Sequence, residues 1–401
     1  MRIDKVSLFH KELPMLCASF SCSLEPDVST ADVVIAKVET DTGLFGHGES
    51  GCTGGYTNYA AGILATSAEL IERHLIHKDP RDINDIQNTM SMIKDHGASK
   101  AAFDMACWDI LGKSVGKPLW FLLGGKLQER APLYRSISMN SPKKMAEEIG
   151  AWRTEGYRLF QIRVGGGNLS EDVARIEACL SGRLPDEHFT VDAAGRWRVD
   201  EALHVSRAVE HLDFVLEQPC WTYDECLSVR SRMNRPIKLD NLIANVDTIL
   251  CAHADDACDL LTIKISNIGG FSEARIARDI ASAAGIPVTI ESQWGTEITT
   301  SAMVHLSLTT APNRFMSCTD LYNYSSETVA GGENLLVENG TITFADDKPG
   351  LGIGVSRRHR WLSPKRCGQT ETGVAVWLNP TCAGPYLYRT TCSNSPEGGV
   401  C

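Results

Sequence analysis

Three short apolar runs in the middle of this chain each end in an acid. They are Phe189-Thr190-Val191-Asp192, Phe214-Val215-Leu216-Glu217 and Pro236-Ile237-Lys238-Leu239-Asp240. A fourth, Leu260-Leu261-Thr262-Ile263-Lys264, ends in a base, and the four charges follow one another at intervals of 25, 23 and 24 residues. Each interval fits one strand, one helix and two short turns. Parallel strands of that kind bring the acids at their C-terminal tips to one point at the mouth of a barrel. A single acid after a strand usually caps a helix or faces solvent. Three at even spacing would repel one another unless a cation sat between them. The pattern therefore points to Asp192, Glu217 and Asp240 as ligands of a Mg²⁺ ion. Lys264 could snorkel to solvent, but beside a dication its pKa is expected to fall far enough for it to act as a base.

The same alternation extends outward. Candidate strands end near Ser138, Arg163, Asp192, Glu217, Asp240, Lys264, Glu291 and Asp320, with helical stretches between them. Eight strands so spaced predict an α/β chain built on a (β/α)7β-type TIM barrel. No Gly-x-Gly-x-x-Gly follows the first strand of any unit, which argues against dinucleotide binding. Ahead of the barrel, residues 30–40 form a β-branched run followed by the turn signal Asp41-Thr42-Gly43, and residues 58–128 read as helical, with stretches over 60–74, 83–93 and 99–113. The last of these stretches is rich in small residues and should pack closely on a neighbour. The expected organisation is an α+β capping domain over 1–128, the barrel over 129–330, a return segment over 331–363 and a loosely ordered tail over 364–401. Residues 13–29, without clear periodicity, read as a long loop of the kind that often forms a lid.

Composition narrows the function classes. The formal net charge of −11 argues against nucleic acid as the main partner. No apolar run reaches membrane-spanning length and the N-terminus has no h-region, so a cytoplasmic protein is expected. The 14 cysteines show no CxxC spacing, and Cys107, Cys179, Cys251 and Cys258 lie in apolar runs; buried reduced thiols are expected there.

Over 1–363, the motifs Val191-Asp192-Ala193, Leu216-Glu217-Gln218-Pro219, Leu239-Asp240 and Ile263-Lys264-Ile265-Ser266-Asn267-Ile268-Gly269-Gly270 resemble the mandelate racemase/muconate lactonizing enzyme branch of the enolase superfamily. That resemblance implies Mg²⁺ held by the three acids and a lysine base that removes an α-proton from a carboxylate substrate. Within the branch, Lys100 to Asp109, Leu133-Tyr134-Arg135-Ser136-Ile137-Ser138, Phe160-Gln161-Ile162-Arg163 and Glu291-Ser292-Gln293-Trp294-Gly295 are most similar to cis-3-hydroxy-L-proline dehydratases and the related proline-betaine epimerases. The implied activity is a hydro-lyase acting on a small cyclic hydroxy amino acid. The alternatives are an amino-acid or proline-betaine racemase or epimerase, and a weakened homologue that only binds ligand. The catalytic pair would be Lys264 and Arg163, and Trp294, Gln161, Glu291 and Tyr56 are the expected substrate contacts. Trp294 would wall the substrate ring, or simply pack in the core. Residues 49–56 would close over the site together with 13–29. Family members commonly form dimers or octamers, so a homo-oligomer is implied.

Three positions depart from the family pattern. Arg163 stands where the second strand normally offers a lysine; arginine stays protonated, so it is a poor base and a good carboxylate clamp. Ala194 replaces a common asparagine, and Asn241 replaces a common glutamate. Both replacements are expected to weaken the surroundings of the metal.

Overall fold

A computed structural model of the chain describes residues 1–16, 28–52, 59–70, 74–355 and 375–377. The chain opens with three antiparallel strands, β1 (Ile3–Pro14), β2 (Thr30–Thr40) and β3 (Phe45–Cys52). The turn from β2 to β3 falls on Asp41-Thr42-Gly43: Gly43 takes φ +80°, and Thr40 N–H donates to the Leu44 carbonyl. β1 reaches further than the sequence suggested. Leu13 still pairs with Ala31, and Met15 N–H donates to Ser29, so 13–16 and 28–29 continue the hairpin edge. The rest of the expected loop, 17–27, lies outside the described residues.

Helices α1 (Ala60–Leu70), α2 (Ile83–Met90) and α3 (Gly97–Val115) cover this sheet. The small residues of α3 do what their size allows. Ala102 and Ala106 lie so close to β3 that a Cβ on Gly48 would stand 1.9 Å from the Ala102 carbonyl oxygen, and one on Gly46 2.2 Å from that of Ala106. Gly116, at φ +66°, ends the helix in the left-handed conformation.

After the short α4 (Leu119–Leu122) and β4 (Ala131–Pro132), the chain alternates regularly. The strands are β5 (Tyr134–Ile137), β6 (Leu159–Arg163), β7 (His188–Asp192), β8 (Val215–Glu217), β9 (Ile237–Leu239), β10 (Leu260–Lys264), β11 (Val288–Glu291) and β12 (Phe315–Cys318). Between them run α5 (Pro142–Thr154), α6 (Leu169–Leu180), α7 (Val199–Ala208), α8 (Tyr223–Arg230), α9 (Val246–Ala254), the single-turn α10 (Ile265–Ile268) with α11 (Phe271–Ala283), and α12 (Glu297–Leu308). The eight strands pair in sequence order, all parallel, and a bridge from Leu133 to Cys318 joins the last to the first. This is the expected (β/α)7β barrel with an α+β cap. Strand ends match the sequence reading to within two residues.

The return segment forms β13 (Ala330–Gly331), β14 (Leu335–Glu338), β15 (Thr341–Phe344) and β16 (Gly354–Val355). It then meets α3: Leu351 N–H donates to Asp109 and Gly350 N–H to the Lys117 carbonyl. Within the expected tail, β17 (Ala375–Trp377) pairs in parallel with Ser7–Phe9 of β1. Among the described residues no helix is long and apolar enough to cross a membrane. Cys107, Cys179 and Cys258 are buried free thiols as expected, but Cys251 is exposed: it lies on the outer side of α9, whose core-facing residues are Ile249 and Ala252.

Two buried carboxylates of the cap bind barrel helices. Asp104 of α3 accepts from Ser272 N (2.8 Å) and Ser272 Oγ (2.6 Å) at the start of α11. Glu49 of β3 accepts from the backbone N–H and hydroxyl of both Thr296 and Thr299 at the start of α12. Both acids meet unsatisfied helix-terminal N–H groups, which favours negative charge there. Burial works against that and raises Glu49 to about 7 and Asp104 to about 6, with the hydrogen bonds holding each down.

Two predictions follow from this packing. Gly48→Ala must push β3 off α3 and is expected to cost about 3 kcal/mol of stability, read by urea unfolding; a loss below about 0.5 kcal/mol would show that the backbones are not in contact. His305 accepts a hydrogen bond from Trp120 N–H at Nδ1 (3.2 Å) and stacks on Phe344. Burial, aided by Lys126, lowers its pKa to about 3. The folded chain therefore binds fewer protons than the unfolded chain between about pH 3 and 6.5, and stability falls as pH drops through that window. Relative to pH 8, His305 should remove roughly 2 kcal/mol at pH 5. His305→Gln should shrink the pH-dependent loss by that amount, and an unchanged pH profile would refute the assignment.

Candidate functional site

The parallel register lines up the charges foreseen in the sequence. Arg163 at the tip of β6 pairs across to Asp192 of β7, and Asp192 to Glu217 of β8. Asp240 follows β9 directly. Lys264 of β10 pairs with Glu291 of β11. Strand alternation turns these side chains into the barrel mouth, where Asp192, Glu217, Asp240, Lys264 and Glu291 are all buried.

On one side, the Arg163 guanidinium contacts Asp192 Oδ2 through Nη1 and donates from Nε to Ser136 Oγ (3.1 Å). Gln161, beneath it on β6, accepts from Ser136 (2.9 Å) and donates to Asp192 (3.2 Å) and Glu217 (2.8 Å). On the other side, Lys264 Nζ lies 2.7 Å from Asp240 Oδ2, 3.0 Å from Asn241 Oδ1 and 3.4 Å from Glu291 Oε1. Tyr134 OH donates to the other Glu291 oxygen at 2.5 Å. The predicted base and the predicted clamp thus engage different acids of one row.

The loops that carry these acids adopt conformations L-residues seldom take. Ala194 has φ +50° and Gln218 φ +39°. Each is held by hydrogen bonds to the row: Ala194 N–H donates to Asp192 Oδ1 (2.7 Å), and Gln218 Oε1 accepts from Asp240 N–H (3.0 Å). Such strain persists where the surroundings over-determine it. The other departure, Asn241, has a clear part: it donates to Asp240 Oδ2 (2.9 Å) and accepts from both Lys264 and Gln293. It links the acid to the lysine, a contact the sequence reading did not foresee.

The donor set suits a hard dication. Three carboxylates supply oxygen ligands of the kind Mg²⁺ takes, and Asp240 Oδ1 is buried without a hydrogen-bond partner. In the present arrangement protein cations stand against the acids, and no three acidic, histidine or cysteine side chains among the described residues converge on one point. The electrostatics follow. Burial raises the pKa of Asp192 against the opposing charge of Arg163, and raises that of Asp240 against Lys264. Burial also opposes ionisation of Glu217, but Lys238 and the Gln161 hydrogen bond outweigh it and its pKa is lowered. For Lys264, burial favours the neutral form, yet Asp240 and Glu291 outweigh burial and the pKa is raised. The lowered value was expected beside a dication; with the carboxylates alone their negative charge holds the proton, and it must be offset before Lys264 can lose it.

Of the remaining expected contacts, Trp294 is half-buried and meets Tyr324 edge-on at 6.2 Å. Its backbone abuts the cap, since a Cβ on Gly51 would stand 2.2 Å from the Trp294 carbonyl oxygen. Tyr56 lies outside the described residues. The sequence reading missed Lys238, whose Nζ stands 3.1 Å from Glu217 Oε1. Its signal was present: Lys238 lies two residues before Asp240 in an otherwise apolar run, the spacing at which strand residues share a face.

Known proteins share this architecture. Residues 10–124 match the mandelate racemase/muconate lactonizing enzyme N-terminal domain, and residues 144–359 match the enolase C-terminal domain-like family. The chain belongs to the mandelate racemase/muconate lactonizing enzyme branch of the enolase superfamily. Its architecture and kinship are those of a lyase- or racemase-type enzyme. It is 39% identical to a cis-3-hydroxy-L-proline dehydratase of Roseibium aggregatum, over 88% of this chain and 96% of that one. It is 29% identical to an N-succinyl-L-Arg/Lys racemase of Bacillus cereus, over 89% and 96%. A solved structure of an enolase-superfamily member from Roseovarius nubinhibens, complexed with magnesium, superposes with a TM-score of 0.83 at 30% identity, over 88% of this chain and 96% of that one.

Proposed function

We propose that this enzyme is a Mg²⁺-dependent dehydratase that converts cis-3-hydroxy-L-proline into a cyclic imine acid. The observation that carries the reading is the placement of Lys264 and Arg163 at opposite ends of the acid row, joined to the 39% identity with a dehydratase of that substrate. Asp192, Glu217 and Asp240 would hold Mg²⁺. When bound, Mg²⁺ would bind the substrate carboxylate and stabilise the second negative charge that appears on it as the α-proton leaves.

The chain's own residues supply the rest. Lys264 takes the α-proton, and Asp240, Glu291 and Asn241 fix the direction of its ammonium. Tyr134 holds Glu291 in place through its hydroxyl. In the cis isomer the 3-hydroxyl and the α-proton lie on opposite faces of the ring, so the leaving group departs on the face away from Lys264. Arg163 is the cation available there. It steadies the departing hydroxide but does not exchange protons at ordinary pH. Lys264 then gives its proton to solvent, where it and the departed hydroxide make up the water lost, and the enamine left behind tautomerises to the imine. Trp294 would wall the ring, with the cap held over it by Glu49 and by the close approach at Gly51.

Incubation with cis-3-hydroxy-L-proline and Mg²⁺, with the imine trapped by an aldehyde dye, is expected to give coloured adduct; a metal-loaded enzyme that yields none would sink the proposal. Lys264→Ala should lower kcat by at least about 10³-fold, with exchange of the α-proton into deuterated water lost in parallel. Arg163→Lys puts a titratable amine opposite Lys264 and should add racemisation of L-proline, read as α-deuteration with inversion. A wild-type enzyme that exchanges and inverts without dehydrating would instead support an epimerase.

A further inference from the structure

The wall beneath the acid row holds a cation that the reaction does not use. Lys238 stands on β9 and is 3% exposed. Its Nζ lies 3.1 Å from Glu217 Oε1 and 5.8 Å from the centre of the Tyr134 ring. The other Glu217 oxygen is taken by Gln161 at 2.8 Å. A buried ammonium costs several kcal/mol unless an acid compensates it, so an arrangement like this must answer to the charge around it. The site sets the carboxylates of Asp192, Glu217, Asp240 and Glu291 against the cations of Arg163, Lys238 and Lys264. One negative charge is left uncompensated. Without Lys238 there would be two, among acids that are all buried.

We propose that Lys238 is a positioning residue that acts as an internal countercharge: it holds Glu217 in its ligating place without metal and weakens the site's grip on Mg²⁺. The inference rests on the magnesium reading given above. The physical argument has two parts. A fixed cation against one ligand replaces part of the stabilisation a dication would supply, so the acid row stays assembled when Mg²⁺ leaves. The same cation repels an incoming dication with twice the strength it shows toward a single charge. The result is a metal site that exchanges its ion and does not depend on it for folding. The acid that Lys238 meets directly is Glu217, so its effect on the reaction is exerted chiefly through that ligand.

The test compares the wild-type chain with Lys238→Met, which keeps an unbranched stem of similar length without the charge. After EDTA treatment, Mg²⁺ affinity is measured by titration calorimetry, and Tm is measured in EDTA and in excess Mg²⁺. The variant is expected to bind Mg²⁺ at least about tenfold more tightly, to melt lower than wild type in EDTA, and to recover most of that loss with Mg²⁺. An unchanged or weaker affinity in the variant, with wild type binding normally, overturns the Lys238 proposal alone. Failure of the wild type to bind Mg²⁺ overturns the magnesium reading and this inference with it. If the variant does not fold, hydrogen exchange on the wild type decides: equal protection of β8 and β9 in EDTA and in Mg²⁺ supports the countercharge, and protection gained only with Mg²⁺ overturns it.

Discussion

Parallel pairing without a register slip, from β6 through β8, is the constraint from which the site follows. Because Arg163, Asp192 and Glu217 are register partners, they stand side by side with no choice in the matter. Such crowding of buried acids would be prohibitive unless each met a donor or a cation. The structure answers acid by acid: Arg163 and Gln161 on Asp192, Gln161 and Lys238 on Glu217, Lys264 and Asn241 on Asp240, Lys264 and Tyr134 on Glu291. The one atom left over, Asp240 Oδ1, lies in the middle strand of the row. A dication placed there would meet an unused oxygen and would relieve the negative charge that now holds the proton on Lys264.

The cap is joined to this barrel by the same chemistry. Helix N-termini offer N–H groups with no intrahelical partner, and in α11 and α12 the partners come from another part of the chain, Asp104 and Glu49. Glycines let the backbones close in. Gly270, at φ +114°, leaves Asp104 the space a side chain would take, and Gly51 lies against Trp294. The wall of the mouth near Trp294 is therefore fixed by β3 and not by the barrel alone.

Much of this was legible in the sequence. The barrel was readable because its period is regular, and the acids because strand ends and charges coincide. The helix over 97–115 declared its tight packing through its alanines. What the sequence concealed depended on pairings distant along the chain. Lys238 reads as one polar residue within an apolar strand, and only the neighbouring strand reveals Glu217 opposite it. Asn241 looked like the loss of a glutamate, yet its amide has both donor and acceptor and so can serve Asp240 and Lys264 at once, which a carboxylate cannot. The raised pKa of Lys264 was likewise hidden, since it comes from the contacts with Asp240 and Glu291, which form only once the strands stand side by side.

The two ends of the row are chemically unequal, and that inequality bears on the direction of the reaction. Racemisation needs a proton donor and acceptor on each face of one carbon. Lysine can be both where burial or a nearby cation lowers its pKa; a guanidinium remains charged in almost any surroundings. Arg163 is also held in place by Asp192 and Ser136, so its planar fork presents a fixed positive charge to the mouth. A fixed charge suits a group that leaves as an anion, and a mobile proton suits a carbon that must be reprotonated. On the proposed reading the proton carrier is confined to the Lys264 side, and an intermediate formed there would have two outcomes: return of the same proton, or loss of a leaving group toward Arg163. Where the β-carbon bears a hydroxyl on that face, elimination is the outcome that the chain's own charges favour.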